Sequence, residues 1–345
     1  MKLLIHIAVL SAGLLVGDIQ THAQQSRDAA PNSPALKAAA QNARSAKSPT
    51  QRAEERPAKA KGANAKNAKA KKKQPKFQWV NPLPKGHDEA LHHGTFRSPS
   101  LGVDVGYAIL LPDGYDESTD RYPVVYYLHG GRPGSEAKSH RLAAKIRATR
   151  NTSGIMPAIY VFVNGGPVSH YNMPDQPTAQ GADVFIKELI PHVDATYRTI
   201  ADRRGRALEG FSQGGRGTMR LSLRHPDVFC SAAAGGGGYE TEKRISESGG
   251  AESETLQFAE GDNTWDLARR YASGDYPKVN WMIYVGTKGF NYENNLDYMA
   301  FLDSQEIPYQ RLVVPGVPHS ATGIYEKEAE RIMRFHAANF ADANE

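Results

Sequence analysis

The sequence predicts a three-layer α/β fold built on a mainly parallel central sheet, and three observations carry that prediction. Short apolar runs recur along the chain with almost no polar interruption, as in PVVYYL (123–128) and AIYVFV (158–163). Such runs suit strands covered on both faces, the usual condition of a parallel sheet. Stretches of helical periodicity separate them, so strands and helices alternate. Finally, GFSQG (210–214) stands where a strand-like stretch passes into a helical one.

Taken in order, VDVGYAILL (103–111) alternates apolar and polar positions, as a strand with one wetted face does. PVVYYL and AIYVFV follow as buried strands, then RALE (206–209), VFCSAAA (228–234), WMIYV (281–285) and QRLVVP (310–315). Helical patterns occupy 137–149, 180–197, 213–224, 263–272, 293–304 and 322–339. The third stops short of Pro226, where proline ends a helix. The last aligns Tyr325, Ala329, Ile332, Met333, His336 and Phe340 on one face, so His336 reads as a packed core residue. GGGGYETEKRISESGGAESET (235–255) reads as a long loop, a cover over the site. No internal repeat occurs, and the spacing sets aside no separate cap domain.

Charge divides the chain. Residues 1–76 hold 15 basic and 4 acidic side chains, leaving 27 basic and 33 acidic for 77–345. The net +5 therefore belongs to the N-terminal segment, and the mildly acidic remainder gives no ground for nucleic-acid binding. Residues 1–23 carry one apolar run from Leu3 to Val16 behind Lys2, too short to span a bilayer comfortably, and read as a signal peptide. No later stretch is apolar enough for a transmembrane segment, so a secreted or periplasmic protein is expected. Residues 24–76 are rich in Ala, Lys and Pro, lack large apolar side chains, and read as a disordered linker able to contact an anionic surface. The folded domain is expected over 77–345. Cys230 is the one cysteine, so an intramolecular disulfide is impossible, and its apolar context reads as a core thiol.

Gly210-Phe211-Ser212-Gln213-Gly214 is a G-x-S-x-G pattern at a strand-to-helix junction. There a serine can sit on a tight, strained turn with its hydroxyl above the sheet. A nucleophilic serine needs backbone N–H donors for a developing oxyanion. Gln213, at the helix N-terminus, supplies one, and the His129-Gly130-Gly131 exit from PVVYYL supplies the other, with Gly131 ahead of Gly130. Of the 12 histidines, His319 lies between the final strand and the terminal helix, in VVPGVPHSATG, where a loop reaches the sheet edge carrying Ser212. His319 is therefore the expected base. His92 and His93 have no carboxylate or cysteine at ligand spacing, so no metal site is expected.

YYLHGG (126–131), VNGG (163–166), KELIPHVDATYRT (187–199), RALEGFSQGGRGTMRLSLRHPDVF (206–229) and PGVPHS (315–320) together resemble the secreted feruloyl and acetylxylan esterases related to esterase D. The resemblance covers about 98–340. It implies an α/β-hydrolase fold, a Ser–His–acid hydrolase without cofactor or metal, and roles for Ser212, His319, Gln213 and the HGG loop. Such relatives place an aspartate in a Gly-Thr-x-Asp context where this chain has Gly289 in VGTKGFNYENNLDYM (285–299). Glycine cannot orient an imidazole. Glu293, four residues on, is the expected acid, Asp297 the alternative, and an incomplete triad the third possibility. Glu293 also suits the N-terminal turn of a helix on electrostatic grounds alone.

The expected function is a secreted serine esterase acting on acetyl or feruloyl groups of a polysaccharide, or on a small ester. Tyr171 and Tyr239 read as site-lining or packing residues. An acyltransferase or siderophore-lactone hydrolase would use the same residues, and a non-catalytic binding protein could keep the fold without the acid. Acyl group, alcohol partner and oligomeric state are not legible.

Overall fold

In a computed structural model, which describes residues 76–173, 175–239, 244–246, 252–257 and 259–342, the alternation of apolar runs becomes one mixed eight-stranded sheet. Its strands are β1 (Leu91–Arg97), β2 (Asp104–Leu110), β3 (Val124–Leu128), β4 (Ile159–Val163), β5 (Arg206–Phe211), β6 (Ser231–Gly235), β9 (Asn280–Lys288) and β10 (Tyr309–Pro318). A separate antiparallel pair, β7 (Arg244–Ser246) and β8 (Glu252–Gln257), lies between β6 and β9 in the chain. The sheet order is β1-β2-β4-β3-β5-β6-β9-β10. Only β2 runs against its neighbours; every pairing from β4 to β10 is parallel.

The helices are α1 (Arg141–Ser153), α2, α3 (Gln213–Arg224), α4 (Thr264–Ser273), α5 (Tyr292–Ser304) and α6 (Ala321–Asp342). Helix α2 runs continuously through Gly181–Asp183, a π-wound Val184–Leu189 and Ile190–Thr196. Period-two side-chain alternation sorts these helices into two layers. Val124, Tyr126 and Leu128 of β3 face a core shared with α2, α3, α4 and α5. Val125 and Tyr127, from the same strand, face the core shared with α1 and α6. Both faces of β3 and β4 are thus fully covered, which is why their sequences show no alternation.

Several expectations shift. The alternation in β2 predicts one wetted face, yet its residues from Val105 onward are all buried, because Ala108 and Leu110 pack into the α1/α6 core. β1 has no apolar run and gives no strand signal; it is an edge strand whose register is set by pairing with β2. The stretch 235–255 is not wholly loop, since β7 and β8 pair within and just beyond it. The expected signal peptide and linker lie outside the described residues. His336 is buried as expected, with Nδ1 2.9 Å from Ser231 Oγ. Cys230 is buried just before β6, and burial pushes its thiol up to about 11, in keeping with an inert core group. Glu209 is fully buried on β5 and accepts from the Tyr325 and Tyr284 hydroxyls.

A second buried carboxylate organises the chain's approach to the sheet. Glu136 accepts from Asn81 N–H at 2.6 Å, Asn81 Nδ2 at 3.0 Å and Asn164 Nδ2 at 2.9 Å, and lies 3.0 Å from His93 Nε2. It thereby joins the segment before β1, β1 itself and the loop after β4. Glu136→Ala removes the acceptor of the half-buried Asn81 N–H and one acceptor of the buried Asn164 amide, whose Nδ2 keeps the Trp79 carbonyl. An expected loss of about 1–3 kcal/mol follows from leaving that N–H unpaired. Urea unfolding should show that loss, and a smaller one for Glu136→Gln.

Candidate active site

The parallel strands end at one edge of the sheet, and the site assembles there from the loops that leave β3, β4, β5, β6, β9 and β10. Strand β5 runs directly into α3 through Ser212, whose backbone sits at φ 62° and ψ −117°. That region suits glycine and costs a side-chain-bearing residue about 1–3 kcal/mol. The turn is held by Ser212 N–H donating to Gly235 O at 2.8 Å and Arg216 N–H donating to Ser212 O at 3.0 Å. Gly214 is required by close approach: a Cβ there would lie 1.9 Å from Leu128 O. Ser212 remains half-exposed, so its hydroxyl can meet a substrate.

His319 stands between β10 and α6, and its Nε2 is 2.9 Å from Ser212 Oγ. The structure thus brings together two side chains 107 positions apart. The imidazole is half-buried and packs on Phe211 at 4.8 Å and Phe290 at 4.3 Å between ring centroids. Burial lowers the His319 pKa from its ordinary value.

Neither expected acid meets this histidine. Nδ1 is 3.2 Å from Asn291 Oδ1, whereas Glu293 and Asp297 are exposed on α5. Glu293 lies in the first helical turn, with the solvent-facing, dipole-favouring placement that its position also suggests. The amide orientation of Asn291 follows from its surroundings. Its Nδ2 donates to the carbonyls of Gly236 and Gly237, so Oδ1 faces the ring. Nδ1–H of His319 donates to that oxygen, leaving the Nε2 lone pair toward Ser212. Asn295 and Asn294 brace the same loop, donating to Gly237 O at 2.6 Å and Tyr239 O at 2.9 Å. A Cβ at Gly289 would lie 3.4 Å from Asn291 Oδ1. The side chain two residues on therefore reaches back to the space beside Gly289.

Sequence reasoning missed Asn291 for a physical reason. Asparagine before a helix reads as an N-cap, and Asn291 does occupy that position in α5, yet it makes no capping hydrogen bond. Its side chain is committed to the loop and the histidine instead.

The HGG loop lies against the elbow. A Cβ at Gly130 would be 3.1 Å from Phe211 O and from Ser212 Cβ, and Gly131 has φ 66°, a glycine conformation. Three successive carbonyls of the loop are each tied to a side chain. His170 Nε2–H donates to His129 O at 3.0 Å, His129 Nδ1–H to Gly130 O at 3.1 Å, and Ser169 Oγ–H to Gly131 O at 2.6 Å. Lys138 Nζ also donates to Gly130 O at 3.4 Å. In a trans peptide the N–H points opposite to the carbonyl. Fixing the Gly130 carbonyl therefore fixes the direction of the Gly131 N–H.

Both loop histidines are neutral. His129 Nε2 accepts from the N–H groups of Ser135 and Gly165, and burial drives its pKa well below the usual histidine range. Burial likewise holds His170 down to about 3. Ser169 and His170 occupy consecutive left-handed conformations, φ 40° and 69°, a strain that places both side chains on the loop. Nothing in NGGPVSHY signals this. Ser169→Ala frees the Gly131 carbonyl and so loosens the residue whose N–H serves the oxyanion, and it is expected to lower kcat about tenfold with little change in KM. That is less than the ~10²–10³ typical of losing an oxyanion donor itself. Equal changes in kcat and KM would argue against a positioning role. Tyr171 and Tyr239, the two other tyrosines considered, are buried; Tyr171 lies under the Arg220 guanidinium and Tyr239 stacks on Tyr298.

Comparison with known proteins identifies the family and the fold. The family model described as "Esterase: Putative esterase" matches residues 98–310, more than half of the chain. An esterase of Mycobacterium tuberculosis is 30% identical over 154 residues, 44% of this chain and 33% of that protein. An endo-1,4-beta-xylanase/feruloyl esterase of Xylanibacter ruminicola is 32% identical over 158 residues, 40% of this chain and 21% of its own. The chain thus matches only a third or less of the length of these relatives. Among solved structures, a ferulic acid esterase superposes with a TM-score of 0.59 at 21% identity, covering 72% of this chain and 98% of that one. A fluorophosphonate-binding serine hydrolase of Staphylococcus aureus gives a TM-score of 0.58 at 22% identity, with the same coverage. These likenesses support the three-layer α/β-hydrolase fold.

Proposed function

The chain belongs to the putative esterase family, and from that premise we propose that it is a carboxylic ester hydrolase acting through an acyl-enzyme on Ser212. The observation that carries this reading is the 2.9 Å contact between Ser212 Oγ and His319 Nε2 on a strained strand-to-helix turn. His319 takes the hydroxyl proton at Nε2 as the serine oxygen attacks the ester carbonyl. The N–H groups of Gln213 and Gly131 receive the negative charge that develops on the carbonyl oxygen, with Gly130 closing the loop against the elbow. Collapse of the tetrahedral intermediate breaks the bond to the alcohol oxygen, which leaves with the proton from Nε2. Water, deprotonated by the same nitrogen, then releases the acid and restores the serine.

Asn291 serves in place of a carboxylate. Its Oδ1 holds Nδ1–H and so selects the tautomer with a basic Nε2, while adding no full charge to stabilise the imidazolium. With this residue in position, the loss of an acid at Gly289 does not itself imply a non-catalytic protein.

The substrate reading is an acetyl or feruloyl ester on a polysaccharide, supported by the likeness to the xylanase/feruloyl esterase of Xylanibacter and by the expected export signal in residues 1–23. A fluorophosphonate probe should label Ser212 in folded protein, and a panel of acetyl, feruloyl and longer acyl esters should show turnover that the label abolishes. Turnover unaffected by complete labelling would sink the mechanism. Competing alcohols in the same assay report any acyl transfer. The basic segment 24–76 would tether the enzyme to an anionic surface, seen as salt-sensitive retention on an anionic polymer that is lost when the segment is removed.

A further inference from the structure

The turn between β9 and α5 puts two neighbouring residues to opposite uses. Asn291 is buried against His319, while Phe290 is 58% exposed, more than Tyr276, Val103 or Met156, the other large apolar side chains that reach solvent among the described residues. The turn is held by Gly289 N–H donating to Gly286 O at 2.9 Å and Tyr292 N–H donating to Gly289 O at 3.1 Å, so Phe290 is not on a loose end. Its ring lies 4.3 Å from the His319 ring at 44°. The imidazole already has a buried phenyl neighbour in Phe211. A second phenyl group left in water beside a reacting histidine is a surface that a ligand can cover.

The chemistry of the site says which part of an ester would cover it. The oxyanion is held from the side of Gln213 and the HGG loop. The leaving oxygen must instead approach His319 Nε2 to collect its proton, so the alcohol half extends past the imidazole, where Phe290 stands. An aryl ring, or the C–H face of a sugar ring, stacks on an exposed phenyl ring, and short alkyl chains cover much less of it.

We propose that Phe290 is a specificity-determining contact for the alcohol half of the ester, and that this half carries a ring. The inference rests on the Ser212 acyl-enzyme reading above. The test uses the full chain and three acetyl esters with a common acyl group: ethyl acetate, phenyl acetate and an acetylated xyloside. Each variant is compared with the unaltered enzyme on the same substrate, so intrinsic leaving-group reactivity cancels. For Phe290→Ala, the loss of kcat/KM is expected to be about tenfold greater on ring-bearing alcohols than on ethyl acetate, at the low end of what a modest apolar contact gives. Phe290→Trp should retain the preference. A loss confined to phenyl acetate or to the xyloside identifies the ring as aryl or glycosyl.

An equal loss on all three esters would mean that the ring only shields His319 and would overturn the proposal, as would no loss at all. Labelling of Ser212 by a fluorophosphonate in each variant keeps the two readings apart. Unaltered enzyme that neither labels nor turns over fails the mechanism. Enzyme that labels and turns over, but shows no alcohol-dependent effect of Phe290, fails this inference alone.

Discussion

Ser212→Ala is expected to lower ester hydrolysis by about 10⁴–10⁶ and to eliminate fluorophosphonate labelling, with the fold intact. The size follows from removing a nucleophile whose partner acts as a unit with it, while residual rate comes from the oxyanion donors and binding alone. The variant carries a second, independent expectation. Alanine inherits the backbone at φ 62° and ψ −117°, and glycine does not suffer there. Ser212→Gly should therefore unfold at a higher temperature than Ser212→Ala while being equally inactive. Turnover within tenfold of the original enzyme in either variant would remove Ser212 from the mechanism. A less stable glycine variant would show that the elbow is not strained.

Asn291 governs the next-largest effect. Asn291→Ala removes the acceptor for His319 Nδ1–H and also the donors to Gly236 O and Gly237 O, so the ring loses its orientation and its braced loop together. A fall in kcat of up to about 10⁴ is expected, the size seen when the orienting carboxylate of such a triad is lost. Asn291→Asp separates orientation from charge. In the native protein burial alone sets the His319 shift, and it lowers the pKa. The base must be neutral to act, so rate is lost as pH falls through that pKa, and the acid limb of kcat/KM should lie below the ordinary histidine value of 6.5. A carboxylate beside Nδ1 favours the protonated ring and raises the pKa. The acid limb of Asn291→Asp should therefore move to higher pH. An unmoved limb would mean that residue 291 does not face the imidazole in solution.

Much of the site was legible because its signals are local. The glycines of GFSQG mark a turn that only small residues permit, and Gly214 is indeed pressed against Leu128 O. The runs of β3 and β4 announce burial on both faces, and the helix after Ser212 needed only its periodicity and Pro226. Edge strand β1 was not legible, since its polar residues carry no pattern of their own and its register comes from β2. The β7/β8 pair hid in a Gly-, Ser- and Glu-rich stretch that composition alone assigns to loop.

The acid shows the limit most clearly. Chemistry demands a partner for His319, and sequence reasoning supplied the nearest carboxylates, Glu293 and Asp297. Which residue faces a ring depends on the direction of each side chain, and α5 turns both carboxylates toward solvent. What made Asn291 the partner was the pair of carbonyls at Gly236 and Gly237, more than fifty positions earlier, which claim its amide nitrogen. The Ser169–His170 clamp on the HGG loop is of the same kind.

The sequence by itself determined the layered α/β architecture, the turn that presents Ser212 and the late histidine that reaches it, because periodicity, glycine spacing and chain order are properties of the chain. Tertiary structure alone decided the neutral third partner, the fixed carbonyls of the loop and the exposed ring of Phe290. Each of those depends on which distant groups satisfy a side chain's hydrogen bonds or leave its surface in water.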